Sequence, residues 1–388
     1  MNSEIAYILG IMGFTWLLLI FASAFLPYFT KKSIAFGIAV PRELYDNEFL
    51  STVRQQYVWG NLVFGVLFML IGLWMLLRLP DSQAAFTNVG LIFLYMIISF
   101  VFYIRAYHQV RDYKRMSDWT LSSIRSAQVT YKKDERALFS PWWYLSFLVI
   151  TAALIALTLM MYPSLPDQIP QDVGMDGTVL SYAEKSISLI LSVPMMMLAM
   201  TVLFAFLGWM INRAKRQTDD TDVARGLANN RAFQIIMGKM MFWLGFIMIM
   251  IIAGTQLSML GLVSPQFTLW TSLALLVLVM AVMIYVMINI GQGGYRLSER
   301  EKVASGERVA QPRTRALEEY VVEDDDHWIL WGTFYNNPDD PALFVEKRVG
   351  LGWTTNVGNP AGRRLMIVTG IGLVALLVAV PILMLQEM

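Results

Sequence analysis

Long apolar stretches recur along this chain, separated by short polar segments, and each is close to the roughly 20 residues that an α-helix needs to cross a bilayer. Eight stretches fit that pattern: Ile5–Phe29, Tyr57–Leu77, Val89–Ile104, Trp142–Tyr162, Ile187–Ile211, Ile235–Leu260, Phe267–Asn289 and Leu365–Leu385. The third is the shortest, and its pattern predicts a helix running on through Arg105. The predicted fold class is an all-α polytopic membrane helix bundle with a small cytoplasmic β-meander near the C-terminus.

The connections after successive spans carry 4, 1, 8, 1, 6, 0 and 10 Lys and Arg in turn, counting Lys239 near the start of the sixth span with the fifth connection, so 28 of the 30 fall with the odd-numbered ones. Positive charge stays on the cytoplasmic side of a membrane protein. The odd connections are therefore expected inside, both termini outside, and the loop at 163–186 outside. This divides the chain into a seven-span bundle over 1–290, a linker over 291–327, a small cytoplasmic domain over 328–364 and an eighth helix over 365–388. Met1-Asn2-Ser3-Glu4 leads directly into apolar sequence without a basic leader region, which predicts a retained helix rather than a signal peptide.

Composition agrees with the pattern: 56% of residues are hydrophobic, 15% are charged and mean hydropathy is +0.53. A net charge of +1 gives no field to attract nucleic acid directly. Without cysteine there is no disulfide, thiolate zinc site or thiol nucleophile, and only His108 and His327 offer imidazole. No nucleophile elbow, zinc-protease or phosphate-loop motif occurs. No cofactor and no metal is expected. Met160, Met161, Met175, Met195, Met196, Met197 and Met259 could bind a soft metal but suit irregular helix packing better.

Within the connections, Asp46 is placed to cap a short helix leading into the second span, and Asp219-Asp220-Thr221-Asp222 reads as a solvated helix start. The basic connection Ala106–Pro141, with interleaved Tyr and Trp, suits anionic headgroups of the lipid bilayer. Asn61, Lys239 and Gln256 are the intramembrane polar candidates: the two amides are expected to hydrogen-bond between helices, and Lys239 to reach the interface. Pro194 and Pro381 interrupt the fifth and eighth spans.

The loop Tyr162–Ser186 is the one long polar segment predicted outside. Pro166 and Pro170 preset an extended backbone, Gly174 and Gly177 permit turns, and Asp167, Gln171, Asp172, Asp176 and Lys185 offer polar groups to an extracellular peptide or envelope component. In the tail, the run 328–335, the turn 336–341, the run 342–348 and the run 353–357 predict a three-stranded meander too small to stand alone, which must rest on the inner loops or on a cytoplasmic regulator.

Two motifs have a family resemblance. Leu165-Pro166-Asp167-Gln168-Ile169-Pro170, with Gly174, Asp176, Gly177, Ala183, Lys185 and Ser186, resembles the signature of bacterial multi-pass proteins related to the Sdp toxin immunity protein. The tail positions Trp331, Gly332, Tyr335, Asn337, Pro338, Asp340, Lys347, Gly350, Gly352, Trp353 and Asn356 resemble an uncharacterised domain often fused to it. Relatives carry a histidine shortly after the second proline, where this chain has Gln171-Asp172-Val173. The resemblance implies a non-enzymatic protein of the bacterial plasma membrane, acting in immunity to a secreted peptide or in envelope signalling. A transporter is the alternative, for which neither an inverted repeat nor a buried charge speaks. A membrane enzyme acting on lipid or peptide bonds would have to rely on Asp167, Asp172, Asp176 and Glu184.

Overall fold

The computed structural model describes residues 3–41, 44–117, 127–129, 140–173, 179–218, 223–294, 296, 324–350 and 352–372. The elements run α1 (Ser3–Ala24), α2 (Leu26–Phe29), β1 (Ile34–Ala35), β2 (Ile38–Ala39), α3 (Glu48–Leu76), α4 (Asp81–Met116), β3 (Ala127–Val129), α5 (Leu145–Met161), β4 (Gln168–Val173), β5 (Val179–Glu184), α6 (Ile187–Arg213), β6 (Arg216–Thr218), α7 (Val223–Met259), α8 (Pro265–Asn289), β7 (Trp328–Ile329), β8 (Phe334–Tyr335), β9 (Phe344–Glu346) and β10 (Trp353–Thr355). A last helix, α9, is described over 360–372.

Among the described residues, six helical stretches are long and apolar enough to cross a membrane: Glu48–Leu76, Phe86–Met116, Pro141–Ser164, Ile187–Arg213, Asn229–Met259 and Pro265–Val286. They correspond to predicted spans two to seven. The first predicted span is broken: α1 ends at Ala24 and α2 follows with Pro27 in its first turn. Pro27 has no amide to donate to the Ser23 carbonyl four residues earlier, which accepts from the Tyr57 hydroxyl at 3.1 Å instead. The second half of the eighth, with Pro381, lies outside the described residues, as do Asp219–Asp222 and most of the linker.

The cap of α3 differs from expectation by one residue. Asn47, not Asp46, is the N-cap, its side chain accepting from the Phe49 amide at 2.8 Å, and it opens the whole 29-residue helix rather than a short one. Both residues are good caps by type.

The chain forms two compact units. The first contains residues 1–131, 214–230 and 290–388. There α1 lies on α3, where Gly65 leaves room for Ile20, and α3 lies antiparallel on α4 across the short connection 77–80. Its core has a mid-helix cluster of Trp16, Ile20, Phe68 and Tyr95, and an end cluster in which Phe36 and Ile38 of the β1–β2 hairpin sit among Leu50, Val53, Tyr57, Tyr103 and Val110. In the same unit β3 pairs with β6.

The second unit, 132–213 and 231–289, packs α5, α6 and α7 around Phe147, Leu154, Met197, Phe242 and Ile249. Gly208 and Gly245 allow the Tyr144 and Phe204 rings to lie against backbone. Pro194 lies inside α6 and cannot donate to the Ile190 carbonyl four residues earlier. Gln256 of α7 supplies the missing donor, its Nε2 reaching Ile190 O at 3.1 Å and Thr158 Oγ1 at 3.0 Å.

Candidate functional site

In the first unit the tail is docked onto the membrane helices and their loops. The predicted meander is two hairpins instead: β7 pairs with β8, β9 pairs with β10, and a single parallel bridge, Tyr335 to Asn356, joins them. The run 328–335 cannot be one strand because Leu330, Trp331 and Gly332 all take positive φ, at 49°, 59° and 79°. That turn forms the tip of the first hairpin.

The tip meets the tip of another hairpin. Between β1 and β2, Phe36 and Gly37 take φ of 48° and 84°, the paired left-handed turn that a two-residue hairpin requires. Gly37 and Gly332 face each other so closely that a Cβ on Gly332 would lie 2.9 Å from the Gly37 Cα. Tyr103 of α4 donates to the Trp331 carbonyl at 2.6 Å, and Trp331 meets Phe100 edge to face. Among the described residues, Phe36, Leu330 and Trp331 are the non-glycine residues with positive φ, and all three belong to this one contact. Such backbone costs energy and persists only where its surroundings hold it.

Ion pairs surround the contact. Asp325 accepts from Lys114 Nζ at 2.6 Å, from the Ala39 amide at 3.2 Å and from Arg348, whose Nη1 also reaches the Gly37 carbonyl at 2.9 Å. Burial pushes the Asp325 carboxyl up, but Arg348 and Lys114 outweigh it and hold the group below the usual carboxylate range. Lys31 pairs with Glu346 at 2.8 Å, and Lys215 with Asp340 at 2.6 Å, both carboxylates being buried. Asp340 also accepts from the Tyr335 hydroxyl at 3.1 Å.

Asn356, fully buried, fixes the tail internally. Its Nδ2 donates to the Asn337 and Asp340 carbonyls, and its Oδ1 accepts from the Asn337 and Gly358 amides. Asn337 accepts from the Asp339 amide across Pro338, making the expected turn. Gly350 and Gly352 take φ of 76° and 99° between β9 and β10, Trp353 is buried, and Lys347 lines a cleft with Ser23, Ser99 and Tyr103.

The outer-loop candidates fall in the second unit. Residues 168–173 and 179–184 form an antiparallel hairpin, with register shifts around Asp172, which the alternation of residue types had not revealed. Ile169 packs with Leu165, Ile190 and Leu260. Asp167 is fully exposed, whereas the Lys185 ammonium is drawn inward to the Leu165 carbonyl at 2.7 Å and over the Tyr162 ring. Pro166 precedes β4, and Pro170, Gln171 and Asp172 are within it; Gly174, Asp176 and Gly177 lie outside the described residues.

Of the intramembrane candidates, Gln256 does bridge helices. Asn61 corrects the expectation: its Nδ2 donates to Tyr57 O of its own helix at 2.9 Å. The bridging amide there is Asn88, between Trp16 Nε1 and the Gly72 carbonyl. Lys239 is exposed. Sequence reasoning also missed Lys31, Lys114, Lys215, Asp325, Glu346 and Arg348; the available signal was that the odd-numbered connections and the tail were expected on one side of the membrane.

The apolar helices define a multi-pass membrane protein in contact with the lipid bilayer. Residues 149–198, covering most of α5, the hairpin and the start of α6, match a domain of unknown function (DUF1648), and residues 338–363 match a family of unknown function (DUF5808). No curated protein and no solved structure matches the chain.

Proposed function

We infer that this is a non-enzymatic protein of the bacterial cytoplasmic membrane, acting in peptide or toxin immunity or in envelope signalling. The hairpin 168–184 faces outward and contacts a peptide or envelope component. The tail faces inward and holds or releases a cytoplasmic regulator. Support for the orientation comes from the partition of Lys and Arg between connections.

The observation that carries the reading is the tip-to-tip contact of Gly37 and Gly332. Three strained residues and a set of ion pairs converge there on a module that has little apolar core of its own. Strain and paired buried charge contribute little net stability and suit an element with two arrangements. A docked tail and a released tail are those two arrangements.

The test uses the phenotype of a deletion strain complemented with variants. Alanine at Asp167, Gln171 and Asp172 together is expected to abolish protection or signalling at unchanged protein abundance. Gly332→Val, which cannot fit against Gly37, is expected to fix the released state and make the output independent of the stimulus. Full activity of the triple alanine variant would remove the recognition role, and a wild-type response of Gly332→Val would remove the switch.

A further inference from the structure

A second cleft, of about 330 Å3, opens between α3 and α4 in the first unit. Its floor is buried Val53, Tyr57 and Ala106. One end carries Gln56, Arg105 and Gln109; the other carries Trp59 and Phe102. The helices are antiparallel, so Gln56 precedes Trp59 on α3 while Gln109 and Arg105 follow Phe102 on α4, and the polar groups gather at one depth and the rings at another. At a rise of about 1.5 Å per residue the two levels are separated by roughly 5–10 Å along the helix axes.

Two further facts mark this as a built recess. Arg105 and Gln56 are exposed at the rim and Gln109 is half-buried, so the three polar heads are open to a ligand, and Arg105 adjoins the end of an apolar span. Gly60 lets the Phe102 ring lie across α3, where a Cβ would come to 3.1 Å, so the ring lines the cleft wall while Trp59 stays 65% exposed beside it. An exposed tryptophan next to an arginine at the end of an apolar span is the arrangement of the headgroup level.

We propose that this cleft binds one anionic phospholipid, with its phosphate on the Arg105 guanidinium and the Gln56 and Gln109 amides, and its acyl chain along Trp59 and Phe102. The polarity of the cleft parallels that of the lipid, head toward the loop end of the helices and tail toward their middle. A guanidinium matches two phosphate oxygens at once, which a zwitterionic headgroup offers less favourably because its own cation competes. On the orientation inferred above the lipid is drawn from the inner leaflet. The recess itself does not depend on the receptor reading.

Full-length protein in detergent, titrated with phosphatidylglycerol or phosphatidylcholine and followed by native mass spectrometry, tests this. The wild type is expected to keep one phosphatidylglycerol in preference to phosphatidylcholine, and Arg105→Gln to weaken that binding by about tenfold or more, as loss of a charge-assisted contact predicts. Arg105→Lys should recover part of it. Gln56→Ala with Gln109→Ala should weaken it without removing a charge, which provides a second readout should Arg105→Gln fail to fold. Equal retention of the two lipids by the wild type, or wild-type retention by the folded variants, would overturn the proposal. Displacement of the lipid by inorganic phosphate at similar concentration would identify a soluble phosphate site and overturn the lipid assignment.

Discussion

The two units solve the same problem, burying polar backbone beside a bilayer, by opposite means. In the second unit the interior is aromatic and apolar, and one glutamine serves the carbonyl that Pro194 leaves without a donor. In the first, a tail of short strands is held by paired charges, a buried asparagine and two hairpin tips in backbone contact. The first design specifies where a module sits at little net gain in stability, and the second gives a helix packing with no evident alternative. A part meant to detach is expected to be built the first way.

The contrast breaks most visibly at Asp340. Asp340→Ala removes a buried carboxylate that serves Lys215, the Tyr335 hydroxyl and the Ala342 amide, which costs about 3–5 kcal/mol and should undock the tail while the helices stay folded. Hydrogen exchange should show residues 328–357 exposed and 145–161 unchanged. Loss of protection in both regions would mean that the tail is an integral part of one cooperative fold.

At Gln256 the effect is smaller and confined to the other unit. Gln256→Leu orphans the Ile190 carbonyl again and should lower thermal stability by about 1–3 kcal/mol. Pro194→Ala restores the helix donor, so it should rescue much of that loss in the double variant, and additive losses would show that the glutamine acts elsewhere.

The smallest effect is the dependence of docking on acid. The folded Asp325 carboxyl lies below its unfolded value, so its contribution is present above the ordinary carboxylate range, near pH 4, and is lost as pH falls through the folded value. Tail protection should therefore be flat from neutral pH down to about 5 and fall only below about 4. Asp325→Asn should remove that acid-dependent part, and a transition near pH 6 would require another group.

Much of this architecture is legible in the chain. Spans two to seven follow from apolar length alone, and the turn at Asn337–Asp340 from its residue types. The long-range pairs are not: Lys31 and Glu346 are 315 residues apart, and nothing in the local pattern of either indicates the other. The hairpin at 168–184 was hidden because Pro170, Gln171 and Asp172 break the alternation that marks a strand, and it is the pairing with 179–184 that makes them one. Asn88 and Asn61 are the same residue type, but Asn61 lies inside the second predicted span and Asn88 just ahead of the third. Only the proximity of Gly72 and Trp16 makes Asn88 the one that bridges.

The central claim is that the hairpin and the tail face opposite sides of the membrane, one to receive and one to report. The native chain has no cysteine, so single cysteines can be placed without background. Glu184→Cys and Asp339→Cys put a thiol on an exposed position of each segment. In intact cells a membrane-impermeant maleimide is expected to label residue 184 at once and residue 339 only after permeabilisation; labelling of both from outside, or of residue 339 alone, would contradict the account.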